Sequence, residues 1–475
     1  MNYKSILFFL GIYSIIVSIF SIINILYSYY FDYILGLNSY LITFIISLSM
    51  GLLFFFIGKK NYQNISLNDQ IVSILFSFIL IPLLITPPYF LSIYNINFLD
   101  AYFESMSGIT TTGFSILENI DDVDEPLLLW RSSSQWLGGL IFLIAIIGTM
   151  GSKKAKIKPI FLVSKESSGS NFYNNFYYNF IKIFLIYFFT TIIIIFLFKF
   201  AHLRLLDSVN LALTTVSSGG FINSNDLSNL IINDFQTFIL AVTLLFPIFN
   251  FYLFFNILTK QFDFKNHQED LHLLIFITFI FLLFYFLLIP NQNFSNILLA
   301  ISSSLSTSGI FVNISDQFSE TSLFFILITI VGGSLASTSS GFKYVRFYIL
   351  LKTTHQEIYK LVKPINIFDK NLFNAESKID GTDLKFAFLV FVSLILSFFI
   401  LSSILSLDSI SFENSFKLAI LTLTNTAASS IYGFDNLFFS NLNVFTKLSL
   451  IFFMVLGKIE IIAVLYLIKG FIFKE

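Results

Sequence analysis

Cysteine is absent from the 475 residues, and charged residues are scarce. Without thiols the chain can form no disulfide and no thiolate metal site. Charged residues make up 12% and the formal net charge is −1, so nothing in the charge balance indicates nucleic acid or an acidic substrate as a partner. Hydrophobic residues account for 56% instead. That composition is typical of a polytopic membrane protein rather than a soluble one.

Residue patterns that carry enzyme chemistry are also missing. The sequence has no Ser-His-Asp set, no His/Asp/Glu cluster with metal spacing and no phosphate loop, because Gly58-Lys59-Lys60 lacks the rest of a P-loop. His202 and His272 stand alone near the ends of apolar runs, as core or interface histidines do. We therefore predict neither an enzyme nor an organic cofactor. A membrane-embedded lipid transferase is the enzyme alternative, and it would need converging ionisable residues at the membrane surface.

Ten apolar runs approach or exceed the length of about 20 residues that crosses a bilayer. They fall near residues 5–29, 36–57, 71–94, 130–150, 180–200, 235–258, 270–290, 320–335, 384–406 and 445–470. The first run is too long for a secretory signal and lacks its cleavage pattern, so we expect it to be retained as a span. The run at 320–335 is short.

Basic and acidic residues fall on opposite sides if every run is a full span. Lysine and arginine concentrate at 59–60, 153–158, 260–265 and 343–385, whereas the other side carries Asp121, Asp122, Asp124 and Glu125. The positive-inside rule then predicts cytoplasmic termini, cytoplasmic basic loops and an outward-facing acidic loop. Topology alone explains the basic loops, although such a surface could also dock a soluble regulator.

After the first two runs, one unit recurs at intervals of roughly a hundred residues. It consists of a span, a short amphipathic stretch, a hydroxyl-rich segment and a second span. The amphipathic stretches begin at Asp100, Asp207, Asn296 and Glu413. Each is about ten residues, too short to span but sufficient for a half-helix that enters the membrane and turns back.

The hydroxyl-rich segments carry the chemistry of a cation site. Glycine permits backbone conformations closed to other residues, and Ser and Thr add hydroxyls beside the backbone carbonyls. Non-helical backbone at membrane depth is tolerated where it is buried in protein or lines a watery cavity. Four such segments around a pseudo-fourfold axis could replace the hydration shell of a monovalent cation. Four surface loops are the alternative, but these segments lack the charge that surface loops normally carry.

Several motifs together resemble the Trk/Ktr/HKT superfamily of potassium transporters, and in particular its TrkH branch. They are Phe103-Glu104 and the stretches at 107–113 (SGITTTG), 130–139 (WRSSSQWLGG), 215–221 (TVSSGGF), 332–343 (GGSLASTSSGFK) and 456–461 (LGKIEI). The resemblance covers nearly the whole chain, and the motifs occur in the family's order. The two extra runs before the first repeat also resemble TrkH rather than KtrB.

The resemblance implies an all-α polytopic membrane protein with four M1-P-M2 repeats around one pore, preceded by two extra transmembrane helices. In each repeat, M1 and M2 are spans and P is a half-helix with its filter strand. We accordingly expect two N-terminal helices in 1–62 and repeats in 63–160, 161–264, 265–375 (with a cytoplasmic segment) and 376–475. Also implied are a homodimer in the bacterial cytoplasmic (inner) membrane, nucleotide-binding RCK (TrkA-like) regulatory subunits, and K+ as the transported ion.

The family's selectivity filter maps onto the hydroxyl-rich segments. Its residues here are Thr110, Thr111, Thr112, Gly113, Val216, Ser217, Ser218, Gly219, Ser306, Thr307, Ser308, Gly309, Asn425, Thr426 and Ala427. By resemblance, K+ is held at Thr111, Thr112, Val216, Ser217, Ser218, Ser306, Thr307, Ser308, Asn425 and Thr426. Ala427 stands where the family has glycine. Its Cβ disfavours positive φ and narrows the lumen, which leaves selectivity for potassium over sodium open.

Gate candidates lie in a broken apolar run and in the last span: Gly332, Gly333, Ser334, Ser340, Gly341, Lys343 and Lys458. In the family the broken helix forms an intramembrane loop below the filter that obstructs conduction. A helix that simply ends early is the alternative. Lys458 lies at mid-span, where a charge costs roughly 2.5 to 3.5 kcal/mol. In the family a basic residue here faces the cavity and pairs with the gating region; a snorkelling lysine is the alternative.

Two further charges accompany the first filter segment. Glu104 lies on the first half-helix, and Arg131 opens the following span. We interpret Glu104 either as support behind the filter or as a surface charge at an interface. The sequence thus predicts potassium uptake through a gated pore. A sodium-permeable or weakly selective pore, a proton-coupled carrier and a non-conducting scaffold for a regulator are the alternatives, and scarce carboxylates within the spans weigh against the carrier.

Overall fold

A computed structural model describes residues 3–59, 67–150, 176–258, 267–290, 292–312, 318, 320–362, 371–373, 379, 381–408, 410–434 and 439–459. Regular structure in this part of the chain is helical. The long helices are Tyr3–Tyr30, Ile34–Gly58, Leu67–Ile85 followed by Pro87–Phe90, Glu125–Met150, Phe176–Phe200, Gln268–Leu283 followed by the π-helical turn Phe284–Leu288, and Gly381–Ser406. Within the described residues, seven helical segments are long and apolar enough to cross a membrane, or eight if the bent pair Asp234–Ile248 and Phe251–Leu258 is one span. The predicted all-α membrane fold is confirmed.

Three of the ten predicted spans are not described as one straight helix over their full predicted length. The run at 235–258 is not one straight span, because Asp234–Thr243 with the turn Phe246–Ile248 meets Phe251–Leu258 at 97°. Pro247 lies in this turn and lacks a backbone donor. The run at 320–335 gives only the ten-residue helix Ser322–Val331, and a second helix, Tyr344–Val362, follows after a loop. The last run is described as Val444–Ile459, and the remainder, with Glu460, lies outside the described residues.

Four short helices occupy the positions predicted for half-helices. Half-helices 1 to 4 are Phe98–Ile109, Leu205–Val216, Phe294–Ser306 and Phe412–Thr424, each of 12 or 13 residues. At about 1.5 Å per residue, none can cross a hydrocarbon core of about 30 Å. Side chains of Asn97 and Ser411 cap the first and fourth at their N-termini. Their C-terminal turns are buried, so the half-helices end inside the protein.

The half-helices and spans close into a ring. Each half-helix packs against both spans of its own repeat. It also packs against the second span (M2, here called the outgoing span) of the preceding repeat. Half-helices 2, 3 and 4 contact Glu125–Met150, Asp234–Thr243 and Ser322–Val331 in this way, and half-helix 1 contacts Val444–Ile459. The N-terminal helix Tyr3–Tyr30 packs along Ile34–Gly58 and against repeat 1, so this pair lies outside the ring. All four predicted repeat boundaries fall outside the described residues and stay predictions.

Candidate functional site

The same backbone turn follows every half-helix. One residue at each C-terminal end adopts the left-handed conformation, with φ between 49° and 60°: Thr111, Ser218, Thr307 and Asn425. In all four repeats the next residue donates its N–H to the carbonyl five positions back, at 2.8 to 3.1 Å. Positive φ is uncommon outside glycine, and one left-handed residue lets a chain leave a helix sharply. Its recurrence with one bonding pattern establishes which residues are equivalent in the four segments.

This register corrects the second predicted segment by one residue. Half-helix 2 continues through Val216, and its left-handed residue is Ser218. Ser217 rather than Val216 is therefore equivalent to Thr110, and the segment ends at Gly220 rather than Gly219. The first and third segments keep their predicted register. Ala427 stands at the position of Gly113.

Ala427 does not carry the backbone strain that its sequence position suggests. Gly113 and Gly309 have φ of 82° and 70°, whereas Gly220 and Ala427 are not among the positive-φ residues. The expected conformational conflict is therefore wrong, because the second and fourth segments use a backbone open to any residue. The Ala427 methyl does lie beside two of the equivalent glycines: a Cβ on Gly220 would overlap it, and one on Gly113 would lie 3.0 Å from it. The four equivalent positions thus converge.

Hydroxyl pairs brace three of the four segments in the same way. The side chains of Thr110 and Thr112 lie 2.8 Å apart, and the matching pairs Ser306/Ser308 and Thr424/Thr426 lie 3.1 and 2.9 Å apart. The second segment has Gly219 at the third position instead. There the Gln135 carboxamide fills the space, and its Oε1 accepts from the N–H of Phe221 at 3.2 Å. Gln135 belongs to the motif at 130–139, but sequence reasoning gave it no role.

A buried ion pair ties the first two segments together. Glu104 is fully buried, and its Oε1 accepts from Arg131 Nε at 2.9 Å. The same carboxylate accepts from the N–H of Ile116, just beyond the first segment. Arg131 in turn donates to the carbonyl of Ile222 and stacks over the Phe221 ring, 4.2 Å from its centroid. Glu104 is therefore support behind these segments, and the interpretation as a surface charge is wrong.

The motifs at 130–139 and 456–461 each contain a glycine, Gly138 or Gly457, that lies against the end of a half-helix. A Cβ on Gly138 would overlap the carbonyl of Ile109, and one on Gly457 would overlap that of Leu423. Ile109 and Leu423 each directly precede a hydroxyl-rich segment, so they are equivalent. Because neither glycine has a side chain, the first and fourth outgoing spans approach the ends of their half-helices at backbone contact distance.

The loop at 332–343 is here called the inserted loop. It reaches the inner ends of the segments, which are the ends that adjoin the half-helices. Thr338 donates from its hydroxyl to the carbonyl of Val216 at 2.9 Å and lies 3.0 Å from the Ser218 hydroxyl. The N–H of Ser340 donates to Thr307 Oγ1 at 3.0 Å. Gly332, Gly341 and Lys343 have positive φ, and residues 337–340 are buried. The run continues beyond Val331 as a folded loop, so the interpretation as a helix that simply ends is wrong.

Two buried lysines hold this loop. Lys458 is fully buried, which excludes snorkelling, and it donates to Thr111 Oγ1 at 2.6 Å. It also donates to the Thr338 carbonyl and the Ser340 hydroxyl at 3.3 and 3.2 Å. Lys343 donates within the loop, including to the Ser339 carbonyl at 2.5 Å. Both ammonium groups face the ring of Phe142, another residue that sequence reasoning missed.

The gate candidates lie together in and around the inserted loop, beside the segments that it contacts. Ser334 lies in the same loop, and its carbonyl accepts from Lys343 at 3.3 Å. The backbone of Gly333 accepts from Tyr344 and donates to Ser339, which closes the loop on itself. Thr338 and Ser340 of the inserted loop contact the second and third segments, and Lys458 joins the loop to the first. The fourth segment contacts the first instead, because Asn425 donates to Thr112 Oγ1 at 3.0 Å.

The predicted acidic outer loop is largely paired or bonded. Glu125 forms an ion pair with Arg204 at 2.5 Å. Asp124 accepts from the Tyr94 hydroxyl at 3.0 Å, and burial raises the pKa of this carboxyl above its ordinary range. Among the described residues, no group of three or more His, Asp or Glu could hold a metal ion. The site is therefore one of hydroxyl and carbonyl oxygens.

Known proteins show the same sequence pattern and the same fold. An uncharacterized cation transporter of Methanocaldococcus jannaschii is 25% identical over 97% of this chain and 94% of its own. The Trk system potassium uptake protein TrkG of Escherichia coli K12 is 24% identical over 92% of each chain. The crystal structure of the potassium transporter TrkH from Vibrio parahaemolyticus superposes with a TM-score of 0.81 over 98% of each chain at 20% identity. The profile of the TrkH family, described as cation transport protein, matches residues 37–301, more than half of the chain. The chain belongs to this family of cation transport proteins.

Proposed function

We propose that this chain is the membrane subunit of a potassium uptake system and conducts K+ inward through a gated, filter-lined pore. One observation carries the proposal: four half-helices end in the same left-handed turn, and their segments converge at Gly113, Gly220, Gly309 and Ala427. Two of the named relatives, TrkG of Escherichia coli and TrkH of Vibrio parahaemolyticus, are a potassium uptake protein and a potassium transporter, which supports K+ as the ion.

The geometry suits a cation. Each half-helix presents its C-terminal end, which carries a partial negative charge, beside its segment. Backbone carbonyls and the buried hydroxyls of the four segments are hard oxygen ligands that can substitute for water around K+. In this proposal the filter comprises residues 110–113, 217–220, 306–309 and 424–427. Val216 then contributes its carbonyl at the inner mouth, where Thr338 contacts it.

The inserted loop acts as the gate. Its buried hydroxyl and amide groups bond to the inner ends of the segments, and Lys458 places a positive charge beside Thr111. A loop in this position obstructs the path, and the ammonium group repels an arriving cation. The chain assembles as a homodimer in the bacterial cytoplasmic membrane with both termini inside, and RCK (TrkA-like) subunits dock on its basic cytoplasmic side to move the loop.

A sodium-permeable or weakly selective pore is the second candidate. The Ala427 methyl lies where the other three segments have glycine, next to the positions of Gly113 and Gly220. A narrower or less symmetric ring of oxygens could favour the smaller ion. Permeability ratios separate this candidate from the first.

Replacing Gly113 tests the pore directly. Gly113→Val forces a branched side chain into positive φ and against Gly220, so we expect uptake into proteoliposomes to be lost. Gly381→Val is the matched control, because no atom lies within 4 Å of a Cβ placed there. Unchanged potassium uptake by a correctly assembled Gly113→Val protein would refute the pore assignment.

A further inference from the structure

The outgoing spans of the second and third repeats are both broken, and their breaks interlock. The second bends between Ile248 and Phe251, and the third is interrupted by the inserted loop. Ser334 N–H donates to the carbonyl of Ile248 at 2.8 Å, and Phe251 N–H donates to the carbonyl of Ala336 at 3.0 Å. Each break thus satisfies backbone groups that the other leaves outside a helix. Buried peptide groups rarely stay unpaired.

Shape reinforces this pairing. A Cβ on Gly333 would lie 2.5 Å from the carbonyl oxygen of Ile248 and 3.0 Å from its Cα. At Gly333 and Ile248 the two breaks therefore touch backbone to backbone. The inserted loop cannot leave the filter while the bend stays in place unless buried hydrogen bonds are broken without replacement, which is strongly unfavourable.

Two neighbouring carboxylates fasten both breaks to the third repeat. Glu269 and Asp270 lie in the first turn of Gln268–Leu283 and are 3% and 5% exposed. Glu269 Oε1 accepts from the N–H of Leu335 in the inserted loop at 2.9 Å. Asp270 Oδ1 accepts from the N–H of Asn250 in the bend at 3.0 Å. His267 lies 3.3 Å from the other Asp270 oxygen.

Sequence reasoning passed over these carboxylates. An acidic pair stands at the start of an apolar run on the side where the predicted loops are basic, and this was the available signal. Neither carboxylate contacts the filter segments directly. Asp270 accepts from the bend and lies beside His267, so a role in the gate for Asp270 would have to pass through the bend.

We infer that the bend and the inserted loop move as one unit, and that Glu269 and Asp270 are the positioning residues that latch this unit in the closed state. The inference rests on the proposed function, since it concerns the gate of that pore. It adds the second repeat to the gate. The cytoplasmic arm Phe251–Leu258 becomes a lever whose displacement withdraws the loop from below the filter.

Asp270→Ala tests the latch, because this side chain is assigned to the bend rather than to the loop. We expect basal potassium flux to rise about fivefold, with unit conductance in single-channel recordings unchanged. A purely structural role would lower the amount of assembled protein without raising open probability. Glu357→Ala is the matched control, because it removes an equally charged side chain that is 70% exposed; we expect its open probability to equal that of the wild type.

A double mutant separates one unit from two. In a Lys458→Gln background, Asp270→Ala should raise open probability by about the same factor as in the wild type, because in one unit both substitutions destabilise the same closed state and their free energies add. A loop that is released independently of the bend would show no further increase. Should Asp270→Ala fail to assemble, Asp270→Asn keeps the shape and should give a smaller increase in the same direction. Wild-type open probability in Asp270→Ala or, where that variant does not assemble, in Asp270→Asn would overturn the inference, as would the absence of any further increase in the double mutant. Absence of potassium flux in the wild type would overturn the proposed function instead.

Discussion

At the scale of single residues, Lys458 carries an ammonium group that is fully buried inside the protein. A fully buried ammonium group loses its hydration, and here three oxygens from Thr111, Thr338 and Ser340 replace part of it. One side chain thus joins the first segment to the inserted loop. In the proposed gate this residue supports the closed arrangement more than the fold, because its partners belong to two elements that would have to separate for conduction.

Lys458→Gln should raise basal potassium flux about tenfold, since loss of charge-assisted bonds worth about 1.5 to 3 kcal/mol favours release of the loop. Flux into proteoliposomes at equal protein content measures it. Lys458→Arg keeps the charge and should remain near the wild-type level. If flux falls in Lys458→Gln while assembly is normal, the lysine has no gating role.

The pair of Glu104 and Arg131 concerns stability. Arg131→Met would leave a buried carboxylate without its partner, which lowers the free energy of unfolding by about 3 to 5 kcal/mol. Thermal unfolding of the detergent-purified protein measures this. Arg204→Met is the control, because the Arg204 side chain is 60% exposed in its pair with Glu125 and such pairs contribute about 0 to 1 kcal/mol. Equal shifts in the two variants would contradict the supporting role of Glu104.

Residue identities predicted much of the candidate site, and local geometry explains the rest. The hydroxyl and glycine content of the segments, the mid-span Lys458 and the departure at Ala427 are all readable in the sequence. The register of the second segment is not, because Thr215, Val216, Ser217 and Ser218 offer several places for a helix to end. Glu269 and Gln135 act on backbone groups of distant residues, which spacing along the chain cannot reveal.

At the scale of elements, broken helices carry the mechanism. Both breaks lie in outgoing spans, and backbone pairing between the second and third repeats stabilises both. The break in the third repeat was predictable from its serines and glycines. The bend at 249–250 was not, because the apolar run from 235 to 258 contains Pro247 as its single local signal and the pairing that favours the bend is tertiary.

Thr338→Val isolates the contact between the inserted loop and the filter. Valine has the same shape but can bond neither to the Val216 carbonyl nor to the Ser218 hydroxyl, and a net loss of about 1 kcal/mol should raise open probability about fivefold. Thr329→Val is matched, because Thr329 is also buried but donates within its own helix, to Ile326. If both variants conduct like the wild type in bilayer recordings, this bond does not hold the gate.

At the scale of the whole molecule, a ring of four half-helices gives one central path. Each half-helix is held by its own repeat and by the preceding one, and contact between half-helix 1 and Val444–Ile459 closes the circle. Such closure needs all four repeats, so the proposed filter would be a property of the entire chain. The first two helices pack outside the ring against the first repeat and leave its centre untouched.

The preference for potassium over sodium tests the whole assembly, because it depends on all four segments at once. The measurement is the ratio of potassium to sodium permeability in proteoliposomes or bilayers, for the wild type and for Ala427→Gly. We expect the wild-type pore to conduct potassium in clear preference to sodium. We expect the ratio of potassium to sodium permeability to be maintained or increased in Ala427→Gly. Equal permeability to the two ions in the wild type would contradict this expectation.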